Sequence, residues 1–135
     1  MVNCLSALVR TSFLFSARES RLFSRSTNKN SLSNFFVNVT NEYVHQGRRV
    51  RIVAIDNVPE STDVNQYSFD PDTHYLMVFG QEQIGIPDNV LNMCDDIVYI
   101  PQYGSVRSIN VGCASSIIMN NYCSQITNKT LGLRV

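Results

Sequence analysis

Tyr75-Leu76-Met77-Val78-Phe79-Gly80 is an unbroken apolar run that opens onto a glycine. Five apolar residues without polar alternation fit a strand covered on both faces, and such strands belong to parallel sheets whose crossovers lay helices on either side. Two more runs share this character. Val50 to Ile55 is mostly β-branched and is bounded by Asp56-Asn57 and Pro59, and Ile97 to Ile100 is stopped by Pro101. Helical patterns lie around these strands. Phe35, Val39, Tyr43 and Val44 recur near helical spacing, with Asn34 as N-cap and Gly47 where the helix would end. Pro87 suits the first turn of a short helix through Met93. Ser108 is a candidate N-cap for a last helix, whose apolar stripe is Ile109, Cys113, Ala114, Ile117, Ile118 and Tyr122 and whose end falls near Ser124. Strands alternating with helices predict an α/β fold around a parallel sheet.

In such sheets ligands bind beyond the carboxyl ends of the strands. Those ends are Phe79-Gly80-Gln81-Glu82 and Ile100-Pro101-Gln102-Tyr103-Gly104. Gly80 and Gly85 let backbone approach a ligand, Glu82 is the only carboxylate of its loop, and Gly104 through Asn110 lead polar groups into a helix N-terminus. On these residues alone, a ligand pocket and ordinary turn-and-cap geometry stand as alternatives.

Composition bounds the rest. The chain has 135 residues, 44% of them hydrophobic, which allows one globular domain and excludes generic disorder. No apolar run approaches the roughly 20 residues of a membrane-spanning helix. The formal net charge of 0 hides an uneven division: residues 1–51 carry seven Arg and one Lys against Glu19 and Glu42, and residues 52–135 carry three basic and nine acidic groups. The halves therefore differ by +6 against −6.

Residues 1–33 read as something other than core. Arg10, Arg18, Arg21 and Arg25 alternate with eight serines and with leucine and phenylalanine, and Glu19 is the sole acid. An organellar transit peptide, an exposed basic arm and a leader irrelevant to function all fit that composition. Mitochondrial or other organellar localisation follows from the first, cytoplasmic from the second. The chain thus divides into a basic leader over 1–33, a patterned domain over 34–125 and a tail over 126–135. Loss of the leader near Ser26 would take four Arg and Glu19, changing the net charge from 0 to −3. A phosphate-rich partner would be less favoured after that change.

The wording of the two loops carries a resemblance. Val78-Phe79-Gly80-Gln81-Glu82 with Gly85-Ile86, then Cys94-Asp95 followed by Ile100-Pro101-Gln102-Tyr103-Gly104 and Ser108-Ile109-Asn110, resemble motifs two and three of the SpoU (TrmH-like) RNA 2′-O-ribose methyltransferases of the SPOUT superfamily. The resemblance runs from about Gly47 to Gln125 and is similar to the branch that methylates a tRNA guanosine. It implies a parallel sheet with a C-terminal trefoil knot, a rare exception to unknotted connectivity, and here a domain shortened at its N-terminus. It also implies S-adenosylmethionine as cofactor, tRNA or rRNA as partner, and a homodimer.

Carried over residue by residue, the resemblance assigns cofactor binding to Gly80, Ile100 and Ile109, with Gly85 and Gly104 in the same loops, and catalysis to Glu82, Ser108 and Asn110. Gly112-Cys113 stand where the family carries a Ser-Val pair. No segment upstream of Gly47 resembles motif one, whose arginine the family uses to activate the ribose hydroxyl. Weak activity of this chain is therefore expected, because a neutral hydroxyl needs a base or a stabilising charge. An inactive or fragmentary paralogue that binds cofactor, RNA or a partner protein is the alternative.

Arg107, Arg48 and Arg49, joined by Arg51, are the candidate RNA contacts, with solvated surface charge as the plain alternative for Arg107. His45 and His74 read as surface histidines. Cys94, Cys113 and Cys123 lack Cys-x-x-Cys spacing, so free thiols are expected and no metal site is.

Overall fold

β4, Thr73–Phe79, is buried at every position and forms the spine of the sheet. The computed structural model describes residues 11–13, 29–80, 85–105 and 108–133. Along the chain these form β1 (Thr11–Phe13), α1 (Lys29–His45), β2 (Arg49–Ile55), β3 (Thr62–Asp63), β4, α2 (Asp88–Leu91), β5 (Asp96–Tyr99) and α3 (Val111–Thr130). The strands order as β1-β4-β2-β5-β3, and every pairing is parallel. The chain leaves β4 on one side of β2 and returns as β5 on the other, which brings the carboxyl ends of three strands to one edge.

The period-two alternation of strands divides the core into two layers. Val53, Tyr75, Met77, Phe79 and Val98 face Ile118, Tyr122 and Ile126 of α3. Ile52, Ala54, Leu76 and Val78 face the opposite way, toward Phe36 of α1 and Val90 of α2. Both faces of β4 are thus covered, as its apolar run requires.

The parallel sheet and its three main strands follow the sequence, and several local expectations are corrected. Thr11–Phe13 pairs with Tyr75–Met77, so part of the supposed leader is an edge strand, and the boundary at residue 33 falls inside α1. Asn34 is therefore not its N-cap. Within α1, Val44 is exposed and so falls off the predicted stripe, Tyr43 is half-buried, and Phe36, outside that stripe, is buried. Gly47 does end the helix: at φ +71° it lets its own N–H reach the Val44 carbonyl and the Arg48 N–H reach that of Tyr43, the paired bonds of a left-handed C-cap.

His74 is not a surface histidine. It lies in β4, 8% exposed, with its ring 5.2 Å from that of Tyr43. Pro87 is the N-cap of α2, just ahead of the helical turns rather than within them.

α3 departs furthest from expectation. It begins at Val111, not at Ser108, because Asn110 is the N-cap: its side-chain oxygen accepts from the N–H groups of Gly112 and Cys113. The helix continues past Ser124 to Thr130, since contacts distant in sequence hold its last turns. Gln125 accepts from the Phe69 N–H at 3.0 Å and donates to the Tyr67 carbonyl at 2.9 Å. Lys129 donates to the Ser68 hydroxyl and to the Phe69 carbonyl. Ile126 is buried, so the tail begins later than residue 126. Cys113 is exposed, off the buried face. Among the described residues no helix is long and apolar enough to cross a membrane.

Candidate functional site

The carboxyl ends of β2, β4 and β5 and the first turn of α3 enclose a cleft of about 120 Å³. Ile55, Asp56 and Asn57 come from the end of β2, Phe79 and Gly80 from the end of β4 with Gly85 beyond them, and Tyr99, Ile100 and Gln102 from β5 and its loop. Ser108, Ile109, Val111 and Ala114 close the cleft from the side of α3. The volume is below the roughly 300–1,000 Å³ that encloses a drug-sized ligand.

Gly80 and Gly85 make the cleft through backbone proximity. A Cβ built on Gly80 would stand 2.5 Å from the carbonyl carbon of Gly85 and 2.8 Å from the Ile86 nitrogen. Gly85 itself has φ +72°, and its Cβ would meet Asp56 Oδ2 at 3.0 Å. Gly85 and Ile86 therefore lie against the end of β4 at a closeness that only glycine at position 80 permits. The Asp56 carboxylate fixes the far side, accepting the Ile86 N–H at 2.9 Å and the Asn57 N–H at 2.8 Å. Asp56 is the only charged side chain on the described wall of the cleft.

Of the residues singled out from sequence, Gly80, Gly85, Ile100, Ser108 and Ile109 come together here. Gly104 does not: it is exposed, lies off the wall, and has nothing within 4 Å of a built Cβ. Asn110 adjoins the wall, with its side-chain oxygen engaged in capping α3. Gly112 has a local reason as well, since its Cβ would fall 3.0 Å from that cap oxygen. Glu82 and Arg107 lie outside the described residues.

The basic cluster is not assembled at this edge. Arg48 and Arg49 stand at the opposite end of β2, whose six steps from Arg49 to Ile55 span about 20 Å at ~3.3 Å each. Arg49 is 4.0 Å from Asp70, and Arg51 makes a two-pronged bond to Asp96 at 2.8 Å on each arm. That bond to Asp96 raises the Arg51 pKa further. Tyr67 donates to the same carboxylate at 2.7 Å, and burial followed by this bond pushes its phenol above the ordinary value. Arg51 is thus a structural partner.

Burial, and then Asp95 beside it, pushes the Cys94 thiol up to about 11, which leaves it protonated and inert at neutral pH. Among the described residues no group of three His, Cys, Asp or Glu is placed to hold a metal ion.

Sequence reasoning misses Asp56 and Asn57 as site residues. The rule that names the ends of β4 and β5 applies equally to the end of β2, where Asp56-Asn57 are visible in the sequence as the first polar pair after the apolar run.

The SpoU rRNA Methylase family model matches residues 5–120. A tRNA (guanosine(18)-2′-O)-methyltransferase of Escherichia coli is 32% identical over 89 residues, 66% of this chain and 38% of that enzyme. TARBP1 of Mus musculus, of the same description, is 32% identical over 74 residues, 55% of this chain and 5% of its own length. The SpoU methyltransferase AviRb of Streptomyces viridochromogenes, solved with the cofactor AdoMet, shares the fold with a TM-score of 0.60 at 23% identity, covering 75% of this chain and 36% of that one. The chain spans well under half the length of these relatives. The family match also reaches far upstream of Gly47, where sequence reading finds no resemblance.

Proposed function

This chain belongs to the SpoU rRNA methylase family, and we propose that it transfers a methyl group from S-adenosylmethionine to a ribose 2′-hydroxyl of RNA, with tRNA as substrate. The observation that carries the reading is the glycine-walled cleft, which brings Gly80, Gly85, Ile100, Ser108 and Ile109 to one edge of the sheet. The names of the two tRNA relatives and the AdoMet complex of AviRb support it.

The residues present fit the cofactor. Phe79, Ile100, Ile109, Val111 and Ala114 offer an apolar wall for an adenine ring, and Gly80 leaves backbone uncovered beside it. When bound, S-adenosylmethionine supplies a methyl group activated by a positively charged sulfur. The chain's part is to orient it, through backbone at Gly80, Ile100 and Ile109, and to make the hydroxyl reactive. Proton removal and alkoxide stabilisation need a base or a positive charge. The only charge on the described wall is that of Asp56. The remaining candidates include Glu82, Arg107 and the arginines at 10, 18, 21 and 25, with Arg48 or Arg49 of a second copy across a dimer interface, all within the matched span. Cleavage near Ser26 would take β1 off β4, and we therefore assign the basic segment to the working domain.

The same reading includes a trefoil knot, in which the C-terminal helix that follows Ser108 threads a loop. The meeting of Gly80, Gly85, Ser108 and Ile109 across one cleft supports it. It also includes a homodimer. Val37 and Val44 of α1, 52% and 57% exposed, are apolar surface for a second copy to cover.

Incubating the chain with S-adenosylmethionine labelled in its methyl group and an unmodified tRNA transcript tests the proposal. Label is expected in an alkali-resistant dinucleotide, because a 2′-O-methyl group blocks cleavage. Label confined to alkali-released mononucleotides, or absent, contradicts it.

Asn110 separates chemistry from capping. Asn110→Ala is expected to cost about 0.5–2 kcal/mol through the lost N-cap. Asn110→Asp keeps an acceptor for the same N–H groups and should melt near the wild type. If Asn110 acts on the substrate, both variants lose at least about ten-fold in transfer. Full activity in Asn110→Asp reduces the residue to a cap.

A further inference from the structure

We propose that Asp56 is the positioning residue of the cofactor cleft: its carboxylate ties the end of β2 to the turn after β4, and so holds Gly80 and Gly85 in the shape the cofactor requires. The inference rests on the reading of the cleft as the S-adenosylmethionine site and names what keeps that site formed.

Three strand ends meet at this residue. The Asp56 N–H bonds the Val98 carbonyl of β5 at 3.0 Å, which continues the β2·β5 ladder one step past Ile55. Its Oδ2 accepts the Ile86 N–H at 2.9 Å, from a residue 30 positions away, while Oδ1 is held by the neighbouring Asn57 N–H at 2.8 Å. Local turn capping explains the second bond and not the first. Behind the turn, the Ile86 side chain is 6% exposed and packs with Ala54 and Val78. Ile86 is thus held on both sides, by its side chain in the core and by its N–H on the carboxylate. Gly85, one residue earlier, has φ +72°, and a Cβ there would crowd Asp56 Oδ2 at 3.0 Å. Without the carboxylate, Ile86 would present an N–H to the cleft with no acceptor in place, and the turn would relax to satisfy it.

Hydrogen bonds to an ionised acceptor are about twice as strong as neutral ones, so losing this tie should weaken cofactor binding about ten- to a hundred-fold. Each carboxylate oxygen already accepts an N–H, which makes the role one of geometry. The loss should be the same for the sulfonium cofactor and for its neutral product, S-adenosylhomocysteine.

The test titrates the full chain and its Asp56→Ala and Asp56→Asn variants with each ligand by calorimetry, and follows amide hydrogen exchange at Ile86, Leu76 and Met77. Asp56→Ala is expected to weaken both ligands by one common factor in the stated range and to speed exchange at Ile86, leaving Leu76 and Met77 protected. Asp56→Asn, with one acceptor oxygen for two N–H groups, should fall between Asp56→Ala and the wild type. Unchanged affinity in Asp56→Ala overturns the proposal. So does a loss confined to S-adenosylmethionine, which would mark a direct charge contact, and so does faster exchange at Leu76, which would mark general loosening. If the wild type binds neither ligand, the cofactor reading itself falls, whatever Ile86 does.

Discussion

Gly80→Ala is expected to abolish S-adenosylmethionine binding nearly as completely as Gly80→Val, with affinity falling by more than about a hundred-fold in both. Sequence reasoning attributes the need for glycine to space that the ligand occupies, which would make the larger valine far worse than alanine. The structure gives a different cause. The first carbon of any side chain at position 80 would stand 2.5 Å from the Gly85 carbonyl carbon, 2.8 Å from its oxygen and 2.8 Å from the Ile86 nitrogen. All three are backbone atoms and cannot swing aside as the end of a long side chain does. The turn must open, which pulls Ile86 from its buried seat and from Asp56. Overpacking of this kind costs about 1–3 kcal/mol, less than a domain's whole stability of roughly 5–15 kcal/mol. Both variants should therefore fold and fail to bind. Titration calorimetry checks this, with circular dichroism to confirm the fold, and normal binding by Gly80→Ala would show that the turn does not form the site.

Phe69→Ala should produce the largest loss of stability. Phe69 is 0% exposed, and its ring meets those of Tyr67, Tyr75 and Tyr122 edge to face at 4.9, 5.0 and 5.2 Å. It therefore joins the loop before β4 to β4 itself and to α3. Truncating a buried phenylalanine to alanine costs about 3–5 kcal/mol through lost burial and the cavity left behind. The neighbouring rings are themselves anchored and have little room to collapse inward: Tyr75 accepts the Asp70 N–H at 2.7 Å, and Tyr67 holds Asp96. A fall in melting temperature of about 10–20 °C is expected for a domain of this size. Because Gln125 and Lys129 bind the backbone of the same loop, the end of α3 should fray first, seen as early loss of amide protection at Ile126. A change of only a few degrees would mean that the aromatic cluster is not the anchor of this face.

What the sequence makes legible is what periodicity and composition encode locally. The runs at 50–55, 75–79 and 97–100 mark β2, β4 and β5 to within two residues, because the buried stretch of each strand is mainly apolar. The glycines at 80 and 85 and the apolar residues at 100 and 109 are legible through motif wording, and they share one cleft. What distant partners decide is not legible. Thr11–Phe13 and Thr62–Asp63 carry no strand signal in two or three residues and are strands only because β4 and β5 offer unpaired edges. The last turns of α3 persist because of a loop some 60 residues upstream. His74 is buried by α1, whose Tyr43 covers it. Ser108 and Asn110 are both good caps by residue type, and only the backbone shows that the helix waits for Asn110. Asp56 escapes notice for the same reason, since its decisive bond spans 30 residues.

S-adenosylmethionine is proposed to sit at the carboxyl ends of β2, β4 and β5 against the start of α3. The direct measurement is the backbone amide spectrum of the isotope-labelled chain during titration with S-adenosylmethionine. Saturable shifts are expected at Gly80, Gly85, Ile86, Ile109 and Gly112, with the Arg49 end of β2 and the Lys129 end of α3 unmoved. No saturable shift, or shifts centred on those far ends, would contradict it.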